Sequence, residues 1–375
     1  MIDIVAVSDA RGRRDFIRLP RLAYRDDAQF IPRLDVEMRT HLSAKNPYFA
    51  HAAHQLFVAY ENARPVGRIS AQIDQMAQRA GEPVVGHFGF LDAVRPEIVA
   101  PLLVAAEAWL KQRGAARVVG PYSFSINDES GLLVEGFDHP PYLLMNHAPA
   151  WMGAEVEVAG YAPVRDLLAF HMDTRTPFPR AATRLAEQAH TIAGLTQRPL
   201  RLRDLSADLT QMLMIYNEAW CDNWGFIPMT PAETAYMAHN LKPLLIPELA
   251  QIASVDGEPA AMIMALPNIM ESIRDLRGRL LPWGWLKLAL RLKWRGARSV
   301  RVLLMGIRPQ FRSGVTGAAL SAKLISDVRT ACLARNIRWV EMSWILDDNT
   351  PMIRLIEAVG GHCYKRYRLY EKGLA

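Results

Sequence analysis

Cysteine is scarce here: Cys221, Cys332 and Cys363 are the only three in 375 residues, at no metal-ligand spacing and odd in number. That excludes a disulfide framework and points to a reduced, cytosolic compartment. Long apolar runs are missing too. No stretch of about eighteen apolar residues occurs, so no helix is expected to span a bilayer. The opening residues, MIDIVAVSDARGRRDF, read as a strand followed by polar residues. They are not a charged start leading into an apolar cleavable stretch, so no secretory signal is expected. Nor is there a deficit of core-forming residues. Apolar residues make up 50% and charged residues 22%, an ordinary globular balance. The formal net charge of +6 favours anionic partners such as a nucleotide cofactor, an acidic membrane surface or nucleic acid.

The length suggests two domains, and a faint internal repeat supports that. Residues 56–69, LFVAYENARPVGRI, read as a hairpin, and residues 249–264, LAQIASVDGEPAAMIM, read as its counterpart with Asp256-Gly257 as the turn. Each half continues with a helix, a stop and a strand. The first has 100–113, Gly114 and 116–119; the second has 317–335, Asn336 and 339–345. Both close on a further helix and strand, 151–158 with 166–171 and 352–359 with 364–371. The predicted boundary lies in the segment 173–199, which divides the chain into 1–178 and 179–375. Two insertions break the symmetry, 120–141 in the first half and 271–298 in the second, and long extra loops commonly carry function.

Chemistry concentrates after residue 300. In VRVLLMGIRPQFRSGVTGAAL an apolar strand runs into a loop with arginine, serine and glycine, and the loop opens a long helix. Unpaired amides and the positive end of a helix dipole suit an anion there, with Arg312 adding charge. A second strand, an Asn-led helix from Asn349 and a final strand follow.

This order resembles the GNAT acyltransferase superfamily, over roughly residues 300–375. The resemblance implies an α/β (α+β) fold with two GNAT-like domains in tandem, each a mixed central sheet flanked by helices. It also implies acyl-CoA as co-substrate, with the pyrophosphate on Arg312, Ser313, Gly314, Val315, Thr316, Gly317 and Ala318, and a contribution from Asn349. Two departures stand out. The first loop glycine of the family falls at Val315, and the tyrosine that often serves as general acid falls at Ile356. The first half carries no such loop and is expected to be a GNAT-like domain without a CoA site, a candidate for the acceptor pocket. The phrases NPYFAHAA, GHFGF and NEAWCDNWGFIPMT, with residues 120–137, widen the resemblance to a bacterial family that includes ceramide synthases, which acylate the amine of a sphingoid base.

N-acyl transfer needs a base for the incoming ammonium and donors for a developing oxyanion. Backbone N–H groups at Met305, Gly306 and Ile307 are candidate donors. Glu341, Glu218, Asp222 and His147 are candidate bases, and Glu129 and Glu135 accompany His147 as acceptor-site candidates. Trp220, Asn223, Trp224 and Phe226 are candidate substrate contacts. His51 and His54 lack a third ligand, so no metal is expected. In RDLRGRLLPWGWLKLALRLKWRGAR, Lys287, Arg291 and Arg295 recur every fourth residue, with Trp283, Trp285 and Trp294 interleaved. This suits an amphipathic helix on anionic lipid; a helix packed on the core or a lid over an acyl tunnel are the other readings. No nucleic-acid motif accompanies it, so no nucleic acid is expected. The function these features favour is long-chain acyl transfer from acyl-CoA to a sphingoid-base amine, by a cytoplasmic protein on the inner membrane. The alternatives are a tRNA-dependent aminoacyltransferase and a non-catalytic acyl-CoA- or lipid-binding protein.

Overall fold

The computed structural model describes residues 1–294 and 296–374, in two compact units. The first unit takes Met1–Leu167, Ser272–Arg291 and Lys365–Ala375, and the second takes Leu168–Glu271 and Leu292–Tyr364. This corrects the division at 178/179, which gave the 271–298 insertion and the last strand wholly to the second half. The cause is long-range pairing that local sequence does not encode. Asp35 N–H donates to Gly278 O at 2.9 Å, Arg274 Nη2 donates to Ala28 O at 2.7 Å, and Tyr370–Gly373 pair with first-unit residues.

In chain order the first unit begins with β1 (Ile2–Ala6), α1 (Ala10–Arg18), α2 (Pro20–Ala23) and α3 (Asp35–His41). Then come β2 (Ala52–Glu61), β3 (Arg64–Asp74), β4 (Val85–Ala93), α4 (Val99–Lys111) and β5 (Arg117–Gly120). Short strands β6 (Tyr122–Ser123), β7 (Glu129–Ser130) and β8 (Leu132–Glu135) occupy the first insertion, followed by α5 (Met152–Val158) and β9 (Ala162–Asp173), which passes into the second unit at Leu168. Strands β1 to β4 pair antiparallel in sequence, whereas β4 and β5 are parallel.

The second unit repeats this plan. After α6 (Arg180–Gln188) come β10 (Leu195–Pro199), α7 (Leu205–Trp220), α8 (Pro231–Leu241), β11 (Ala250–Val255) and β12 (Glu258–Pro267). The second insertion forms α9 (Met270–Ile273) and α10 (Gly284–Trp294), and its stretch Ser272–Arg291 belongs to the first unit. Then follow β13 (Ser299–Ile307), α11 (Gly314–Ala334), β14 (Trp339–Leu346), α12 (Thr350–Ala358) and β15 (His362–Gly373), which passes into the first unit at Lys365. Strands β10 to β13 pair antiparallel, and β14 joins β13 in parallel. One face of this sheet packs on α11 through Val300, Val302, Val340 and Met342, together with Leu320, Leu324 and Val328. The expected mixed α/β architecture, twice over, is the one the chain adopts.

The hairpin turns follow from backbone chemistry. Asp256 (φ 52°) and Gly257 (φ 81°) both sit in the left-handed region, as a two-residue hairpin turn requires. The equivalent turn in the first unit uses Asn62 (φ 48°) and Ala63 (φ 60°). Alanine is strained there and exposed, so Ala63→Gly should stabilise the first unit by about 1 kcal/mol. Chemical denaturation measures this.

Candidate active site

The parallel register of β13 and β14 runs from Ser299 beside Trp339 to Val302 beside Met342 and then ends. Both strands continue, to Ile307 and Leu346, so they part. At the same level β13 carries a bulge: Met264 faces Leu304 while Ala265 faces Val302, which leaves Leu303 unmatched. The bulge flips the alternation of side chains. Val300, Val302, Met305 and Ile307 pack with the α11 core. Gly306 faces α7: a Cβ on it would lie 2.6 Å from the Trp220 ring and 3.1 Å from Ala219 Cβ. The backbone of Met305, Gly306 and Ile307 thus lies at the edge of the gap, beneath a helix that approaches closely because residue 306 has no side chain.

The loop beyond β13 leads into a helix start whose side chains leave it uncapped. A single turn, Pro309–Phe311, leads to Ser313 at the N-cap of α11. Ser313 makes no side-chain cap bond and the first turn has no acidic residue, so the leading amides keep no internal competitor for an anion. Gly314 is left-handed (φ 63°). Gly317 packs on the loop backbone, where a Cβ would lie 2.1 Å from Arg312 O. Val315, at the family's glycine position, points outward and is exposed, so it does not block the turn. Arg312 is half exposed and stands 3.5 Å from Asp222. Thr316 and Ala318 lie on the same opening turns. Asn349 caps α12, accepting from Met352 N–H at 3.3 Å. Ile356 is buried against Gly361 and offers no proton.

The candidate bases differ sharply in setting. Glu218 accepts from Arg308 Nε at 2.7 Å, and Arg308 also meets Glu258 at 2.5 Å. Glu218 and Asp222 are therefore counter-ions of the loop arginines. Glu341 is fully buried. Ser343 Oγ donates to its Oε1 at 2.5 Å and Tyr364 O–H donates to its Oε2. Arg301, 3% exposed, lies 3.8 Å away and donates to Ser343 Oγ at 2.8 Å. Arg301 and Glu341 sit opposite each other on β13 and β14, on the face turned away from α11. His171 stacks between Trp339 and Tyr364, with ring centroids at 4.6 and 5.0 Å. Arg301, Ser343, Tyr364 and Arg308 were missed by sequence reading, because facing positions across a sheet carry no local spacing.

The segment after α7 is pinned by its own polar groups. Asn217 Nδ2 donates to Met229 O at 3.3 Å, and Met229 N–H donates back to Asn217 Oδ1 at 3.2 Å. Trp220 and Tyr216 rings lie 4.8 Å apart, and Phe226 reaches Tyr216 at 5.7 Å. Asn223 and Trp224 form the turn itself, with Asn223 N–H on Trp220 O at 2.8 Å. A capping box between Thr230 and Glu233 then starts α8.

The first unit has a similar parallel pair, ending at His87 beside Val119 while β4 runs on to Ala93. Its gap is filled by the chain. A Cβ at Gly89 would lie 1.7 Å from Tyr122 O. Phe90 N–H donates to Ser123 Oγ at 3.1 Å, and Gln72 Nε2 donates to Tyr122 O and Phe124 O at 2.8 and 3.0 Å. The first insertion therefore begins as a plug. His147 pairs with Asp27 at 2.7 Å, and burial still pushes its imidazole below its ordinary value. Glu129 meets Arg33 at 3.2 Å and Glu135 meets Arg366 at 3.1 Å. His51 bonds Asp74 at 2.8 Å, while His54 stacks on Phe49.

In α10 the expected separation of faces is only partly realised. Arg291 turns inward: it donates to both Asp275 oxygens at 2.5 and 2.8 Å and to Ser272 O at 2.7 Å. Its hydrogen bonds hold the Asp275 carboxyl below the usual carboxylate range. Arg291 therefore does not belong to an open basic face, because Asp275 neutralises it. Trp283 (68% exposed), Trp285, Trp294 (74%) and Lys287 do face outward, with Leu281, Leu286 and Leu290. Arg295 lies outside the described residues. No described helix is long and apolar enough to cross a membrane.

Comparison with known proteins identifies relatives and structures of similar fold. The chain is 40% identical over 376 residues to bacterial ceramide synthase from Caulobacter vibrioides, covering 100% of this chain and 98% of that one. It is 43% identical over 359 residues to Protein YghO from Escherichia coli (95% and 92% covered). Among solved structures it is similar to a tandem GNAT protein from the clavulanic acid biosynthesis pathway, with TM-score 0.59, 14% identity and 100% and 99% covered. A GCN5-related N-acetyltransferase from Sphaerobacter thermophilus gives TM-score 0.55, 16% identity and 100% and 96% covered. No family model matches.

Proposed function

Because this chain belongs to the GNAT acyltransferase family that includes bacterial ceramide synthase, we propose that it moves a long-chain acyl group from acyl-CoA to the amine of a sphingoid base. The observation that carries the proposal is the parted β13 and β14 leading into an uncapped α11 beside Arg312. Such a helix start, free of acidic side chains, suits a pyrophosphate. The backbone of Met305–307 would then hold the thioester carbonyl, with N–H groups stabilising charge on its oxygen.

For the amine proton we favour Glu341 over Glu218 and Asp222, which are committed to arginines, and over His147 in the other unit. Glu341 is buried, so its outlet is Tyr364, half-buried and hydrogen-bonded to it. The phenol would accept the ammonium proton as it passes its own to Glu341. Tyr364→Phe should then lower kcat by about a hundredfold while leaving KM for the acyl donor nearly unchanged. Steady-state kinetics at several donor concentrations read this, and an unchanged Tm of the variant separates it from a fold defect, which would lower the active fraction.

The outward tryptophans on and just before α10 support action on a lipid surface at the cytoplasmic side of the inner membrane. Changing Trp283, Trp285 and Trp294 together to alanine should weaken binding to anionic vesicles by roughly tenfold or more. Vesicle co-sedimentation reads this, and unchanged binding would remove the membrane arm of the proposal. The reaction itself is tested by incubating the purified chain with long-chain acyl-CoA and sphinganine or 3-ketosphinganine in lipid. Mass spectrometry should find the N-acylated base. No product at any chain length, or product only with charged tRNA, would overturn the assignment.

A further inference from the structure

The second unit contains a narrow cavity that none of the loop or base chemistry uses. Helix α7 turns Leu209, Met212, Leu213 and Tyr216 toward it, at i, i+3, i+4 and i+7. Helix α8 answers with Thr234, Met237, Ala238 and Leu241 at the same spacing. Two helices with matching apolar stripes ordinarily close on each other. Here they pack but leave a space between the stripes: α8 has no buried residue, although its stripe faces inward. The floor is Met264 and Leu304, direct partners on β12 and β13. Met229, clamped at its backbone by Asn217, forms part of the wall. The space is ≈ 490 Å³ counting its open mouth.

The lining is aliphatic carbon, methionine sulfur and the Tyr216 ring, and Thr234 spends its hydroxyl on Thr230 O at 3.1 Å. An unfilled apolar space of this kind is unfavourable for the folded chain, and flexible methionines adapt to a chain without fixed shape. A polar ligand would find no partner here. A hydrocarbon chain would.

The position of Leu304 identifies which chain. It is the residue just after the bulge and just before Met305, where the thioester carbonyl is assigned. Beyond Val302 and Met342 the two strands have parted, so a chain attached to that carbonyl can pass between them. It emerges on the face turned away from α11, where Leu304 and Gly306 point. The cavity begins there. We infer that the α7–α8 cavity is the binding site for the aliphatic tail of the acyl donor, entered through the β13/β14 gap. This rests on the acyl-CoA reading above and adds to it where the tail goes.

The test measures binding of free CoA, acetyl-CoA, octanoyl-CoA and palmitoyl-CoA to the full chain by titration. In the unaltered protein the acyl tail should tighten binding by tenfold or more between acetyl and palmitoyl. Ala238→Trp and, separately, Met237→Trp fill the cavity and should cancel that gain while leaving CoA and acetyl-CoA within about twofold. Retained CoA affinity shows that the variant is folded and that the donor loop works. A diazirine-bearing palmitoyl-CoA should label peptides from residues 205–241 after irradiation. If both variants keep the full chain-length gain, or if labelling falls wholly outside 205–241 and the β12–β13 floor, the tail lies elsewhere. If they change only the dependence on the amine's chain length, the cavity belongs to the acceptor and the inference fails. Absence of CoA binding in the unaltered protein would instead sink the donor-loop reading, and this inference with it.

Discussion

Replacing Gly317 with valine is expected to lower kcat/KM by about a hundredfold or more and to remove measurable CoA binding. A Cβ at this position would lie 2.1 Å from Arg312 O, and that neighbour is backbone, so no rotamer change relieves it. The loop from Arg312 to Gly317 must move by more than an ångström to restore ordinary contact. That displaces the leading amides of α11 from the arrangement an anion would use. A shift of about 1 Å in a positioning element costs on the order of a hundredfold in rate, about 2.7 kcal/mol. Val315→Gly is the companion experiment. Val315 is 66% exposed and projects away from the loop, so restoring the family's glycine should change kcat/KM by no more than severalfold. A large gain would mean that Val315 obstructs the site.

The second large effect concerns stability. Arg301 and Glu341 are 3% and 0% exposed and face each other across β13 and β14. Arg301→Met leaves a carboxylate buried with only hydroxyl partners. Breaking such a pair from one side destabilises by about 3–5 kcal/mol. For a unit of this size that lowers Tm by on the order of 10 °C. The double change Arg301→Met with Glu341→Gln removes the stranded charge and should recover much of that loss. Calorimetry on the single and double variants gives the coupling. Recovery of stability without recovery of activity is the expected pattern, since the double variant lacks the proposed base. If Arg301→Met alone is stable, the buried pair is not what holds the strands at their point of parting.

The sequence disclosed features whose cause is local. Asp256-Gly257 announced a hairpin because both residues accept positive φ, and Asn336 marked the end of α11 for the same reason, with φ 57°. The α11 stripe of Leu320, Leu324 and Val328 announced a buried helix. The loop from Arg312 to Gly317 was readable because its chemistry is contiguous. What stayed hidden arises between distant residues. The bulge at Leu303 exists only as a mismatch of β13 with β12. The plug of residues 120–124 was visible as an insertion, but nothing local says that it fills the gap beside β4. Likewise the four-residue spacing of Lys287 and Arg291 suggested one open basic face, until Asp275, distant along the turn, claimed Arg291. The cavity between α7 and α8 was half legible: each stripe reads as core, and only packing reveals the space left between them.

The central claim is that one unit of this tandem chain, the second, holds the acyl donor. Calorimetric titration of the full chain with CoA tests it most directly, alongside the Gly317→Val variant. One equivalent of CoA per chain, lost in the variant, is the predicted result. Two equivalents, or one that survives in Gly317→Val, would place the donor outside the β13–α11 loop and contradict it.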